Sequence, residues 1–254
     1  MIRIARAPEP PGLPPERTTR LLAASTARAA GKKLTLKGYE FVKDDLFRMQ
    51  HNKCCYCETI LESAKYHDVE HYRPKATYWW LTWTWENLLF ACFECNRTCK
   101  GDQFPLAHGC SPLVEEQPPP GDEVALLIDP TDATVDLLRE IRFRRELGQR
   151  NERWIPIGLT DRGRETVRVC GLDRAGLLTR YTDHVQRSVR PKIAQFEAAT
   201  RDAEPRDIHR AWNSLHRALL GPRCEFRALS HAALEVLVNP ALRKRHGLEL
   251  PPLA

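Results

Sequence analysis

Long apolar runs are missing from this 254-residue chain. No stretch of about 18 apolar residues occurs, which excludes a helix that crosses a bilayer. The first thirty residues lack a continuous apolar core and hold several prolines and arginines, so no secretory leader is visible. A reducing, cytoplasmic setting is the expectation that follows. No internal repeat is evident, which excludes a solenoid. No nucleotide-binding Gly-rich loop is visible.

What is abundant is cysteine, with nine residues. In a reducing setting, paired cysteines bind metal more often than they form bridges. The hydrophobic fraction of 42% is enough for a core. The net charge of +6 is uneven. Residues 1–53 hold 11 Lys/Arg against 5 Asp/Glu, whereas residues 54–104 hold 5 against 7. The basic end suits a nucleic-acid partner or a solvated surface, and the acidic excess suits a cation site.

Residues 1–16, with Pro8, Pro10, Pro11, Pro14 and Pro15, read as an extended Pro/Arg-rich arm. Residues 17–116 hold helices at Arg17–Ala30 and about Lys37–Gln50, then a compact motif over 54–104. Gln117–Gly121 reads as a linker. Residues 122–254 read as a mostly helical region for partner or substrate binding. Within it, Ile141–Arg144 and Trp154–Ile157 predict a hairpin across Gly148–Glu152. Helices are expected at Asp161–Val169, ending near Gly171, and from a cap at Asp173 to about Thr200 with a break at Pro191. Two more are expected at Pro205–Leu220 and Glu225–Val238. The fold class is mainly α with a small ββ-metal element in the N-terminal half.

Cys54 and Cys57 are three apart, as are Cys92 and Cys95. Two such pairs predict a closed tetrahedral thiolate site for structural zinc. Cys55, Cys99, Cys110, Cys170 and Cys224 read as small buried apolar residues. Between the pairs lies Val69-Glu70-His71-Tyr72-Arg73-Pro74-Lys75. His71 is the histidine set in a dense motif, and Glu70 offers a hard oxygen suited to Mg²⁺ or Mn²⁺. Asn87 sits in an aromatic-rich segment, and Asn96 follows the last paired cysteine. Lys100 lies four residues on and is expected to face the same side. Arg73 and Lys75 are candidate phosphate binders or solvated charges. The run Tyr78-Trp79-Trp80, Trp83, Trp85 reads as core first and as a base-stacking surface second. His67, the other histidine near the motif, reads as a surface residue.

In combination, C-x-Y-C-E, V-E-H-Y-R-P-K, W-x-N-L and C-x-x-C-N-x-x-x-K resemble the HNH, or ββα-metal, endonucleases that carry C-x-x-C zinc pairs. The resemblance implies His71 as general base and Glu70 with Asn96 as ligands of a catalytic Mg²⁺ or Mn²⁺. It implies Asn87 as the residue that orients the base loop, with Lys100 grouped beside these in the catalytic set. The last position is commonly His and here is Asn96, a weaker neutral ligand. Over 127–180, Leu127-Ile128-Asp129-Pro130, the Gly158–Arg164 turn and Gly171-Leu172-Asp173-Arg174 resemble one branch of that family. That branch is the nuclease subunit of Septu-type and retron-linked anti-phage systems. It implies an ABC-type ATPase as partner. The leading reading is an endonuclease acting on DNA, with an RNA- or tRNA-cleaving enzyme on the same scaffold as an alternative. The competing reading is a zinc-braced nucleic-acid-binding module without cleavage.

Overall fold

The computed structural model describes Met1, residues 3–148 and residues 152–253. It divides into two compact units. One comprises Ile4–Asp132 with Val169–Gly171, and the other Met1–Arg3, Ala133–Arg168 and Leu172–Ala254.

In the first unit, helix α1 spans Leu13–Ala29 and so begins before Arg17. Pro14 and Pro15 fall in its first turn, where a missing N–H costs nothing. The preceding segment is tied down. The Arg6 guanidinium donates to the carbonyls of Trp85 at 2.7 Å and Leu88 at 3.0 Å. The helix expected over Lys37–Gln50 shrinks to a 3₁₀ turn at Glu40–Val42 and α2 at Lys43–Met49. Gly38, at φ 84°, breaks the helical path, and the Lys37 carbonyl accepts from the Trp83 indole.

Strand β1, Asp68–His71, pairs antiparallel with β2, Leu88–Ala91, with Glu70 opposite Leu89 and His71 opposite Leu88. A seven-residue π-helical segment, Glu94–Lys100, follows β2 and is ended by Gly101 at φ 50°. Tyr78, Trp79, Trp80, Trp83 and Trp85 are all buried, so the aromatic run is core. Each indole N–H is satisfied by a loop: Glu115 for Trp79, Gln117 for Trp80, Lys37 for Trp83 and Ala7 for Trp85. These bonds staple coil segments with little regular structure to one aromatic centre. The prolines at 118–120 therefore lie within this unit.

In the second unit, a short α3 (Leu137–Glu140) leads into β3, Ile141–Leu147, which pairs antiparallel with β4, Glu152–Gly158. The hairpin is longer than expected, and part of its predicted turn lies outside the described residues. Gly163 lets α4 (Asp161–Val169) approach closely, since a Cβ there would sit 2.0 Å from the Glu140 carbonyl. Helix α5 spans Ala175–His184 with Arg174, not Asp173, at its N-cap. The chain then winds as a π-helix over Val185–Val189 into α6, Arg190–Ala199. Pro191 falls in the first turn of α6, and the wider winding before it absorbs the N–H that proline lacks. Helix α7, Pro205–Leu220, buries a stripe of Ile208, Trp212, Leu215 and Leu219 at helical spacing. Helix α8 spans Arg227–Leu237. A further helix that patterning did not announce, α9 at Pro240–His246, is capped by the Asn239 side chain. Among the described residues no helix is long and apolar enough to cross a membrane.

Candidate metal centre and active site

The thiolate cluster forms where two tight turns meet. The first turn closes through Cys54 N to Thr59 O and Glu58 N to Cys54 O, with Glu58 at φ 63°. The second turn directs the Cys95 N–H at Cys92 Sγ, 3.4 Å away. Buried Gln50 fastens the first turn to β2 by taking the Phe90 N–H and donating to the Phe90 and Lys53 carbonyls. The Sγ atoms of Cys54, Cys57, Cys92 and Cys95 all lie within 4.8 Å of one another, and all four residues are buried. A tetrahedron of ~2.3 Å Zn–S bonds places its sulfurs about 3.8 Å apart. Cys57 and Cys92 are 3.9 Å apart. The donor set fits a dication such as zinc.

Charge supports that fit. Hydrogen bonds from Cys54, Cys92 and Cys95 hold the Cys57 thiol well below its usual range. Burial raises Cys54, and donation to the Cys54 and Cys57 sulfurs raises Cys92 and Cys95. Four crowded thiols cannot all ionise without a cation, so metal binding would expel the remaining protons. Cys55 is buried outside the cluster, its thiol pushed up to about 11 mainly by burial.

Beside this centre is a cavity of about 300 Å³ lined by, among others, Tyr39, Glu70, His71, Lys75, Asn96 and Arg97. It brings together Glu70, His71, Lys75 and Asn96. His71 Nε2 lies 3.0 Å from the Thr82 carbonyl. A carbonyl can only accept, so in the neutral ring the proton sits on Nε2 and the lone pair on Nδ1. Burial pushes the His71 pKa down to about 3, which keeps the ring neutral. Tyr39 packs edge-on against the imidazole at 4.5 Å and 89°. Its hydroxyl accepts from Lys75 Nζ at 2.5 Å. Tyr39 lies outside every motif, so nothing local in the sequence could single it out.

Asn87 does not line the cavity; it positions what does. Its amide accepts from Arg73 N at 2.8 Å and donates to the carbonyls of Arg73 and Leu81 at 3.0 and 3.2 Å. This pins the chain after β1 to the turn carrying Thr82, the residue that holds His71.

Two expected roles change. Lys100 does not face the cavity with Asn96. It is buried, its Nζ 2.7 Å from Glu70 Oε1 and 2.9 Å from the His71 carbonyl. Tyr56 adds a hydroxyl bond to the same Glu70 oxygen at 3.0 Å. The apolar surroundings drive this pairing, because an isolated buried charge is far costlier than a paired one. Burial still raises the Glu70 pKa, with Lys100 opposing it. Arg73 likewise turns inward. It pairs with Glu123, whose carboxylate also accepts from the Tyr78 hydroxyl, and stacks on Tyr72 and Phe104. The exposed cation at the rim is Arg97, paired with Asp68 and lying over half-exposed Phe93. Its position two residues past the last cysteine was the available signal.

A buried four-cysteine cluster thus stands beside a polar cavity lined by His71. No family model and no solved structure matches the chain. Two curated proteins do resemble it, both named Septu protein PtuB. The one from Bacillus mycoides (strain KBAB4) is 36% identical over 101 residues, covering 35% of this chain and 34% of that protein. The one from Bacillus thuringiensis is 48% identical over 60 residues, 23% of each. The chain therefore spans about a third or less of the length of these relatives.

Proposed function

We propose that the chain is a metal-dependent endonuclease of the HNH, ββα-metal type, acting on the phosphodiester bonds of DNA. We further propose that it is the nuclease of a Septu-type anti-phage complex, controlled by an ABC-type ATPase subunit. The similarity to Septu PtuB proteins supports the second part. The observation that carries the first is His71, whose Nε2 is committed to Thr82 while Nδ1 keeps its lone pair in a cavity with Glu70 and Asn96. In this reading β1, β2 and the segment Glu94–Lys100 are the ββα element, braced by zinc on Cys54, Cys57, Cys92 and Cys95.

His71 Nδ1 takes the proton of the attacking water, and the Thr82 carbonyl holds the ring as it becomes cationic. Glu70 and Asn96, both hard oxygen donors, would hold a Mg²⁺ or Mn²⁺. When bound, that ion supplies charge stabilisation at the scissile phosphate. Lys75 and exposed Arg97 bind flanking phosphates. Lys100 balances the Glu70 charge as an ion pair and engages one of its oxygens, so Glu70 and Asn96 alone would hold a cation weakly and substrate phosphate would have to contribute.

That same neutral pair favours a second reading, a zinc-braced nucleic-acid-binding module without cleavage. One experiment separates them. Purified protein, alone and with its neighbouring ATPase, is incubated with plasmid DNA and with total RNA in Mg²⁺ or Mn²⁺. Wild type is expected to cut DNA, and His71→Ala to lose at least about a hundredfold in rate with zinc content unchanged. Binding without cutting supports the module, and cutting of RNA alone moves the substrate to RNA.

A further inference from the structure

The second unit carries a groove that the proposed chemistry does not use. It measures about 810 Å³ and runs between the β3–β4 hairpin and α8. Leu138, Leu147, Ile157 and Leu159 contribute from one side, and Ala228, Ala232 and Val236 from the other. The latter three sit at i, i+4 and i+8 on α8, where Ala228 and Ala232 are buried at the base of the groove and Val236 is exposed at its end. Leu147, Leu159 and Val236 are 71%, 47% and 49% exposed, three large apolar side chains gathered on one surface. Such a concentration marks an interaction site more often than chance exposure.

The lining also selects the occupant. Arg142, Arg144 and Arg145 stand along it against one carboxylate, Glu235. Arg144 pairs with Glu146 and Arg145 with Glu152, while Arg142 is exposed and has no ion pair among the described residues. Phe143 and His231 complete a lining that is otherwise apolar between the arginines. We infer that this groove docks an amphipathic helix of a partner protein, apolar on one face and acidic along its flanks. The inference stands apart from the nuclease reading, because its test reads binding only.

The test uses the full chain, isotope-labelled, and two synthetic amphipathic peptides about four helical turns long. Both carry Leu and Ile on one face; one has Glu on the flanks and the other Lys. The Glu peptide is expected to shift the amide signals of Leu147, Ala228, Ala232 and Val236. It should bind at least about tenfold more tightly than the Lys peptide. Arg142→Glu should reverse that order, and since Arg142 is exposed and unpaired the fold should persist. A failure of both peptides to bind, equal binding of the two, or shifts confined to other residues would overturn the inference. So would concentration-dependent shifts at these residues without peptide, which would make the occupant a second copy of this chain.

Discussion

Among the described residues, two antiparallel strand pairs are stabilised in different ways. β1–β2 is four residues long on each side, and apart from half-buried Asp68 every residue in it is buried, including Glu70 and His71. β3–β4 is seven residues long, alternates burial along its strands and carries exposed ion pairs such as Arg144–Glu146. A short hairpin has too few ladder bonds to stand alone. The first therefore depends on the thiolate centre, the Gln50 clamp and the Glu70–Lys100 pair. The second follows the ordinary rule of one face against helices and one toward water. Burying polar groups in a small element demands external bracing.

The largest expected effect breaks that brace. Cys95→Ser should abolish bound zinc, read by elemental analysis, and remove metal-coupled folding free energy of about 10 kcal/mol. The near-UV dichroism of Trp79, Trp80, Trp83 and Trp85 should collapse. A folded, zinc-free variant would mean the first hairpin stands without metal. Next in size is Lys100→Met, which leaves Glu70 buried and unpaired and should cost about 3–5 kcal/mol in urea denaturation. Adding Glu70→Gln should recover part of that loss, because the uncompensated charge is gone. If the double variant is no better than the single, packing rather than charge sets the cost.

In the second unit the effects should be smaller. The His216 Nε2 is buried without a hydrogen-bond partner among the described residues, and burial pushes its pKa down to about 4. Its folded value lies below the unfolded value of ~6.5, so as pH falls the unfolded state takes up the proton first. Stability present above about pH 6.5 should fall as pH drops toward 4. His71, pushed to about 3, carries the same sign, so His216→Phe should flatten only part of the slope. An unchanged slope in that variant would remove His216 from the account. Smallest of all, Arg144→Ala should change stability by no more than about 0.5 kcal/mol, because the ion pair it removes is exposed.

Patterns confined to neighbouring residues were readable. The two C-x-x-C pairs do converge on one cluster, the arginine-rich hairpin forms, and the expected helices at Asp161–Val169 and Pro205–Leu220 match to the residue. Readings that required knowing a distant partner were not. The periodicity of Lys37–Gln50 promises a longer helix, but the Trp83 indole claims the Lys37 carbonyl. Lys100 reads as a cavity residue one turn beyond Asn96, yet a carboxylate thirty positions earlier draws it inward. Arg73 reads as a phosphate binder or a solvated charge, yet Glu123, fifty positions later, pairs with it.

By itself the sequence determined the kinds of chemistry available: four soft thiolates, a carboxylate beside a histidine, an amide after the last cysteine. Ligand spacing and turn propensity are local, and they survive whatever the rest of the chain does. Only the tertiary structure decided which of those groups stay free. It set the His71 proton on Nε2 through Thr82, set Tyr39 against the ring, and withdrew Lys100 and Arg73 into buried pairs. The reason is electrostatic: a charge inside a protein must find a partner, and which partner is near depends on how the whole chain folds.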